Sequence, residues 1–418
     1  MTRDKTEIKA YKEEILKMKY DFTQFIDRMG KDAIAVEFPP NGNLTKPEWK
    51  DKQIPMWVAD QNFPTFPPIK EKMIERASID TFGYYTTRPE YFEGLIDWHT
   101  KRNGYTDLEA KNISYDNSVL GGVVSALNVL CSAGDNVLLQ CPTYIGFTGA
   151  IENNGYNIVL NNMYKDENKM WRIDYEDMEK LIVEKKIHAT VFCNPHNPTG
   201  RAWTKEELKK CFEIFERHNV WVISDEIWSD IMLDGRKHNP TCLTNEWAKM
   251  HTVSLYATSK TFNIAGLVGS YRFIFNEWLK DRVDKEASLS HYNEMNMLWM
   301  YAAIGAYTGE GRFEYVDQLC EVLSENARIA YDFVMNKFEG VDTSRPEGTF
   351  MLFLDCTEWC EKHGVSIQRL QEMGAEVGVM WQDGRPFHGA NAIRMNLALP
   401  TWRVQEAFER LDKYVFNA

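Results

Sequence analysis

Lys260 lies in Ser259-Lys260-Thr261-Phe262-Asn263-Ile264-Ala265-Gly266-Leu267, just past the apolar run Val253 to Tyr256. A solvated lysine is protonated at neutral pH and is a poor nucleophile. Held in a pocket beyond a strand end, it becomes an amine able to bind a carbonyl carbon or carry a proton. Two other segments, each joined to an apolar run, precede it: Cys193-Asn194-Pro195-His196-Asn197-Pro198-Thr199-Gly200-Arg201 and Val222-Ile223-Ser224-Asp225-Glu226-Ile227. Singly, each has an ordinary reading. A lysine after a strand is commonly a solvated loop residue, Asn-Pro-Thr-Gly is a turn composition, and Ser-Asp-Glu suits a helix cap. In order along one chain, the three form a far more specific set.

The elements that must carry them alternate. From about Ile113 to Asn276, strand-like runs at 137–139, 189–192, 220–223, 252–255 and 271–274 are separated by helix-like stretches, the signature of a parallel sheet covered on both faces. Thr204-Lys205-Glu206-Glu207 reads as a capping box, and Leu208, Cys211, Phe212 and Phe215 follow at helical spacing. Gly121-Gly122-Val123-Val124 lies between a strand-like 113–120 and a helix-like 125–130, so its amides are placed to face an anion. After Ala287 the pattern is helical through Phe338. Strand candidates follow at 349–354 and 393–397, which predicts a second, smaller α/β domain. Near the start, Ile8, Tyr11, Ile15 and Leu16 could line one helical face.

The ordered triplet resembles the fold-type I pyridoxal-phosphate enzymes of the aspartate aminotransferase superfamily (class I/II) over nearly the whole chain. Pro55-Met56-Trp57-Val58-Ala59-Asp60, Phe82-Gly83-Tyr84, Asp383-Gly384-Arg385 and Arg394-Met395-Asn396 narrow the resemblance to carbon–sulfur lyases of the MalY/PatB type, which cleave cystathionine and related cysteine conjugates. Gln61-Asn62 stands where that branch usually has Met-Asp, and Leu120-Gly121-Gly122 where it has Pro-Gly. The resemblance implies a large domain, with a mainly parallel seven-stranded sheet between helices, inserted between two pieces of a small one. The expected division is an N-terminal arm and part of the small domain at 1–60, a large cofactor-binding domain at 61–290, and the rest of the small domain at 291–418.

It also implies roles for individual residues. Lys260 would form an imine with pyridoxal phosphate and then move the substrate's Cα proton. Asp225 would keep the pyridine nitrogen protonated, and Tyr144 would lay its ring over the cofactor. The amides of Gly122 and Val123 would cradle the phosphate, joined by Tyr84 from a partner subunit and a hydroxyl of Thr258 or Ser259. Asn197 would hydrogen-bond the phenolic oxygen. Trp228 stands where many aminotransferases place a tyrosine, and indole donates a hydrogen bond but cannot ionise as a phenol does. Arg394 would clamp the substrate carboxylate, with Asn197 and Tyr84 also near the substrate. Glu226 and His196 are expected to be structural.

A net charge of -13 disfavours nucleic acid as a partner. No apolar run reaches membrane-spanning length, and a lysine- and glutamate-rich start lacks a signal-peptide core, so a cytoplasmic protein is expected; the resemblance implies in addition a homodimer acting on a small amino acid. Eight scattered cysteines suggest neither a disulfide framework nor a metal site. Three functions stay open: β-elimination from cystathionine, cysteine or a conjugate; transamination; and a pyridoxal-phosphate-binding regulatory role exercised through protein contact.

Overall fold

Period-two alternation sorts the central strands onto two apolar faces. Val137, Leu139, Val191, Ile223, Val253 and Leu255 join one buried cluster, whereas Leu138, Phe192 and Val222 join another. A sheet with both faces apolar must be covered on both sides. The computed structural model, which describes residues 18–291 and 293–417, shows such a sheet. The apolar positions 8, 11, 15 and 16 lie outside the described residues.

The seven strands are β1 (Ile113–Asp116), β2 (Asn136–Cys141), β3 (Asn157–Asn162), β4 (Ala189–Cys193), β5 (Trp221–Asp225), β6 (Thr252–Tyr256) and β7 (Ser270–Phe273). Their spatial order is β1-β7-β6-β5-β4-β2-β3. Strands β2 to β6 pair in parallel, and β7 runs antiparallel to both β1 and β6. One face is covered by the helix Lys205–Arg217, which buries Leu208, Cys211, Phe212 and Phe215. Its capping box is formed: Thr204 Oγ1 accepts from the Glu207 amide at 3.2 Å, and Glu207 Oε2 accepts from the Thr204 amide at 3.0 Å.

On the other face lies helix α1 (Val119–Leu130), and here the structure corrects the sequence reading. Strand β1 ends at Asp116, and Ser118 caps the helix by accepting from the Gly121 amide at 3.0 Å. The apolar run Val119-Leu120 therefore begins a helix rather than ending a strand. Gly122 and Val123 lie inside that helix, and the Gly122 amide is already given to the Ser118 carbonyl at 3.0 Å.

The smaller antiparallel sheet contains β8 (Asp342–Thr343), β9 (Met351–Asp355), β10 (Gln382–Asp383) and β11 (Ala392–Asn396), in the order β8-β9-β11-β10. Strand β9 starts two residues later than the expected 349, where Thr349 adopts a left-handed φ of 66°. Helices Arg312–Lys337 and Thr401–Leu411 contribute Val334, Ala407 and Phe408 to the core shared with Leu352, Leu354 and Ile393. The N-terminal segment joins this region through Ile54 and Pro55, which pair in parallel with Val379 and Met380. Among the described residues no helix is long and apolar enough to cross a membrane.

Candidate active site

Parallel strands point their carboxyl ends at one edge of the sheet, where open α/β folds gather ligands. Asp225 is the last residue of β5, Lys260 lies in the turn after β6, Asn197 in the loop after β4, and Tyr144 shortly after β2. All four line one cavity of about 230 Å³ with Trp228, Ser259 and the α1 entrance, Ser118 to Leu120. A larger hollow of about 780 Å³, bordered by Arg102, His238 and Arg328, contains none of them. Size is therefore a poor guide to the chemistry; the convergence of an amine, a carboxylate and a helix N-terminus marks the smaller cavity.

The Lys260 ammonium donates to the Ala59 carbonyl at 2.8 Å and lies 5.5 Å from the Trp228 ring centre. Burial pushes its pKa down to about 8, and the nearby Arg394 charge acts in the same direction, against Asp60 and Asp225. Burial pushes the Asp225 carboxyl up to about 7, although the Ile227 amide donates to its Oδ1 at 3.0 Å and Lys260 is nearby. The pair is thus tuned in opposite directions, each toward its neutral form, as expected of groups made to work near neutrality.

Arg394, on β11, is buried. It donates to Asn197 Oδ1 at 3.3 Å, to the Trp57 carbonyl at 3.1 Å and to the Gln382 side-chain oxygen, while its guanidinium stacks 4.6 Å from the Phe387 ring centre. Burial lowers its pKa to about 10, so it stays charged at neutral pH. Every one of these polar partners is neutral, and among the described residues no carboxylate forms an ion pair with it. A buried cation held by neutral groups is a site prepared for an anion.

The remaining expected residues divide. Tyr144 packs its ring edge-on against Phe147 at 5.3 Å, and burial raises its phenol. Trp228 is buried edge-on against Phe350 at 4.7 Å. Gly122 and Val123 are both buried within α1, and neither lines the cavity. Their amides are occupied by helix geometry, so the donors that a helix leaves open are those of Val119 and Leu120. Thr258 is buried outside the cavity lining, so of the pair only Ser259 reaches it. Tyr84 is fully exposed and lines no part of this chain's cavity. Glu226 is a buried hub, accepting from Tyr256 Oη at 2.6 Å, Ser224 Oγ at 3.0 Å and the Thr241 amide at 3.2 Å, with His238 Nε2 at 2.6 Å. His196 is buried against Thr199 Oγ1 at 2.8 Å and lines no part of the cavity.

Gln61 and Asn62, which depart from the branch pattern, do not line the cavity. Gln61 instead donates to the Lys260 carbonyl at 2.6 Å and the Thr261 carbonyl at 3.2 Å, behind the lysine. Asn396 was also missed. Its side-chain amide donates to both the Val58 and Asp60 carbonyls at 2.6 Å, stitching the 57–61 segment to β11. The motif Arg394-Met395-Asn396 held that signal, since alternate residues of a strand share a face.

An amine and a buried carboxylate delivered by neighbouring strands, with a helix N-terminus opposite, define an enzyme built on the fold-type I plan. The chain belongs to the aminotransferase class I and II family, whose model matches residues 54–411. It is similar to cystathionine beta-lyase PatB of Bacillus subtilis, with 30% identity over 362 residues covering 86% of this chain and 91% of that one. It is also similar to protein MalY of Escherichia coli, 27% identical over 80% of this chain and 84% of that one. Among solved structures, cystalysin of Treponema denticola, described as containing a pyridoxal 5'-phosphate cofactor, superposes with a TM-score of 0.87 at 28% identity, covering 95% of this chain and 99% of that one.

Proposed function

We propose that the protein is a pyridoxal-phosphate-dependent carbon–sulfur β-lyase that cleaves cystathionine, cysteine or a cysteine S-conjugate to pyruvate, ammonia and a thiol. The observation that carries this reading is the lysine and aspartate tuned in opposite directions on one cavity, beside a buried arginine whose partners are all neutral. The cystathionine lyases among the relatives support it.

The residues present fit the cofactor. The α1 N-terminus suits a phosphate group, with Val119 and Leu120 as amide donors and Ser259 as a hydroxyl. Asp225 suits a protonated ring nitrogen, a cation that would draw its carboxyl back to the charged form. Tyr144 supplies a ring face, and Asn197 and Trp228 offer polar groups at the cavity wall. When bound, pyridoxal phosphate supplies an electron sink for the pair left at Cα.

The chain's own groups do the rest. Arg394 holds the substrate carboxylate through two parallel donors and so fixes the orientation of the Cα–H bond. Lys260, its ammonium pushed toward neutrality, takes the Cα proton. The carbon–sulfur bond at Cβ then breaks, the electron pair leaves with sulfur, and the thiolate takes up a proton. Tyr84 of a second subunit would complete the phosphate end, which makes a homodimer the active species.

The competing fate of the same Cα carbanion is transamination, and one assay separates the two. Holoprotein incubated with cystathionine and cysteine without a keto acid is expected to release thiol and pyruvate together. Product formation that strictly requires a keto-acid acceptor would overturn the lyase reading.

A further inference from the structure

Every backbone carbonyl from Trp57 to Gln61 accepts a side-chain donor from the site or its supports. Trp57 accepts from Arg394 at 3.1 Å, Val58 and Asp60 from Asn396 at 2.6 Å, Ala59 from Lys260 Nζ at 2.8 Å, and Gln61 from Asn263 Nδ2 at 2.9 Å. This strap therefore touches the carboxylate-binding arginine at one end and the turn carrying the lysine at the other.

At the lysine end the connection is doubled. The Gln61 side chain donates to the backbone carbonyls of Lys260 and Thr261, while the Gln61 amide donates to Asn263 Oδ1 at 3.0 Å. Asn263 sits at a left-handed φ of 57°, which turns its side chain back onto the strap. Gln61 is buried, and its two donated bonds fix which way the amide faces, because a flipped amide would set oxygen against oxygen.

We propose that Gln61 is a positioning residue for Lys260: its side chain holds the lysine's backbone while the strap it belongs to holds the lysine's amine. The inference rests on the reading of Lys260 as the cofactor-binding amine. It assigns the Gln61 departure from the related lyases to support of the catalytic turn rather than to substrate choice. The backbone clasp persists whatever the amine binds, because it uses no atom of the lysine side chain.

Gln61→Met keeps the side chain's length and removes both donors. Asn263→Gly keeps the left-handed backbone and removes the reciprocal bonds. In apoprotein, the acylation rate of Lys260 by a water-soluble reagent, followed by peptide mass spectrometry against pH, reports the amine directly. Wild type should show a midpoint near the depressed value of about 8. Both variants should shift it upward by about one unit as the amine gains access to water, and the loaded Gln61→Met enzyme should lose about tenfold in kcat with little change in KM. Unchanged midpoints in the folded variants would overturn the proposal, and Asn263→Gly carries the test if Gln61→Met does not fold. Failure of wild type to take up pyridoxal phosphate would instead sink the cofactor reading, while the acylation midpoints still judge the clasp.

Discussion

The Arg394 guanidinium donates to Asn197 Oδ1 at 3.3 Å, joining the small antiparallel sheet to the loop that follows β4 of the large one. The arginine is oriented before any substrate arrives: its other donors hold the Trp57 carbonyl and Gln382. In the proposed role, an arriving carboxylate would meet a guanidinium that is already buried and oriented. Arg394→Lys keeps the charge but offers a single point donor in place of the planar pair. We expect kcat/KM to fall about 10- to 100-fold, mainly through KM, given roughly 1.5–3 kcal/mol for a hydrogen bond to a charged group. Steady-state kinetics on cystathionine check it; an unchanged KM would remove Arg394 from the binding site.

Asp225 makes apoprotein stability depend on pH in a definite direction. Its carboxyl rises from 3.8 to about 7 on folding, chiefly by burial. Between those values the folded chain keeps a proton that the unfolded chain has released, so stability falls as the pH rises through that window. Asp225→Asn removes this slope. Apo Asp225→Asn should be more stable than apo wild type at neutral pH by an amount on the order of a few kcal/mol, with the difference vanishing below about pH 4. Denaturant titrations of both apoproteins at the two pH values measure it. The same variant should bind pyridoxal phosphate more weakly, because the partner of a protonated ring nitrogen has gone.

Variants on helix α1 can separate packing from the proposed phosphate contact. A Cβ at Gly122 would lie 2.5 Å from Leu255 Cδ2 and 2.8 Å from Asp116 Oδ2, so Gly122→Ala must displace those side chains or the helix itself. We expect a loss of about 1–3 kcal/mol in stability with and without cofactor. Ser118→Ala instead removes the cap on the Gly121 amide, at a cost of about 1 kcal/mol. Because it loosens the helix entrance, cofactor affinity should fall more than for Gly122→Ala. Calorimetric unfolding and cofactor titration of the two variants distinguish these effects.

The parts of the site attached to the sheet were legible because strands announce themselves. Apolar runs ended just before Asp225 and Lys260, and a parallel sheet sends such ends to one edge. The entrance of α1 was not legible. Val119 and Leu120 are as apolar as a strand, and only the Ser118 cap, a hydrogen bond to the Gly121 amide, decides that they begin a helix. The role of Gln61 was hidden for another reason. Its partners are backbone carbonyls about 200 residues away, a contact that residue types along the chain do not encode. Arg394 was singled out by its motif, but its neutral partners come from two sheets and a distant strap that the motif does not encode.

The central claim is that Lys260 is the amine that binds pyridoxal phosphate. Reduction of the holoprotein with borohydride, followed by digestion and peptide mass spectrometry, tests it most directly. The account predicts one phosphopyridoxyl label, on the peptide containing Lys260, and none at any position in Lys260→Ala. A label fixed on another lysine, or a coloured holoprotein that survives Lys260→Ala unchanged, would contradict it.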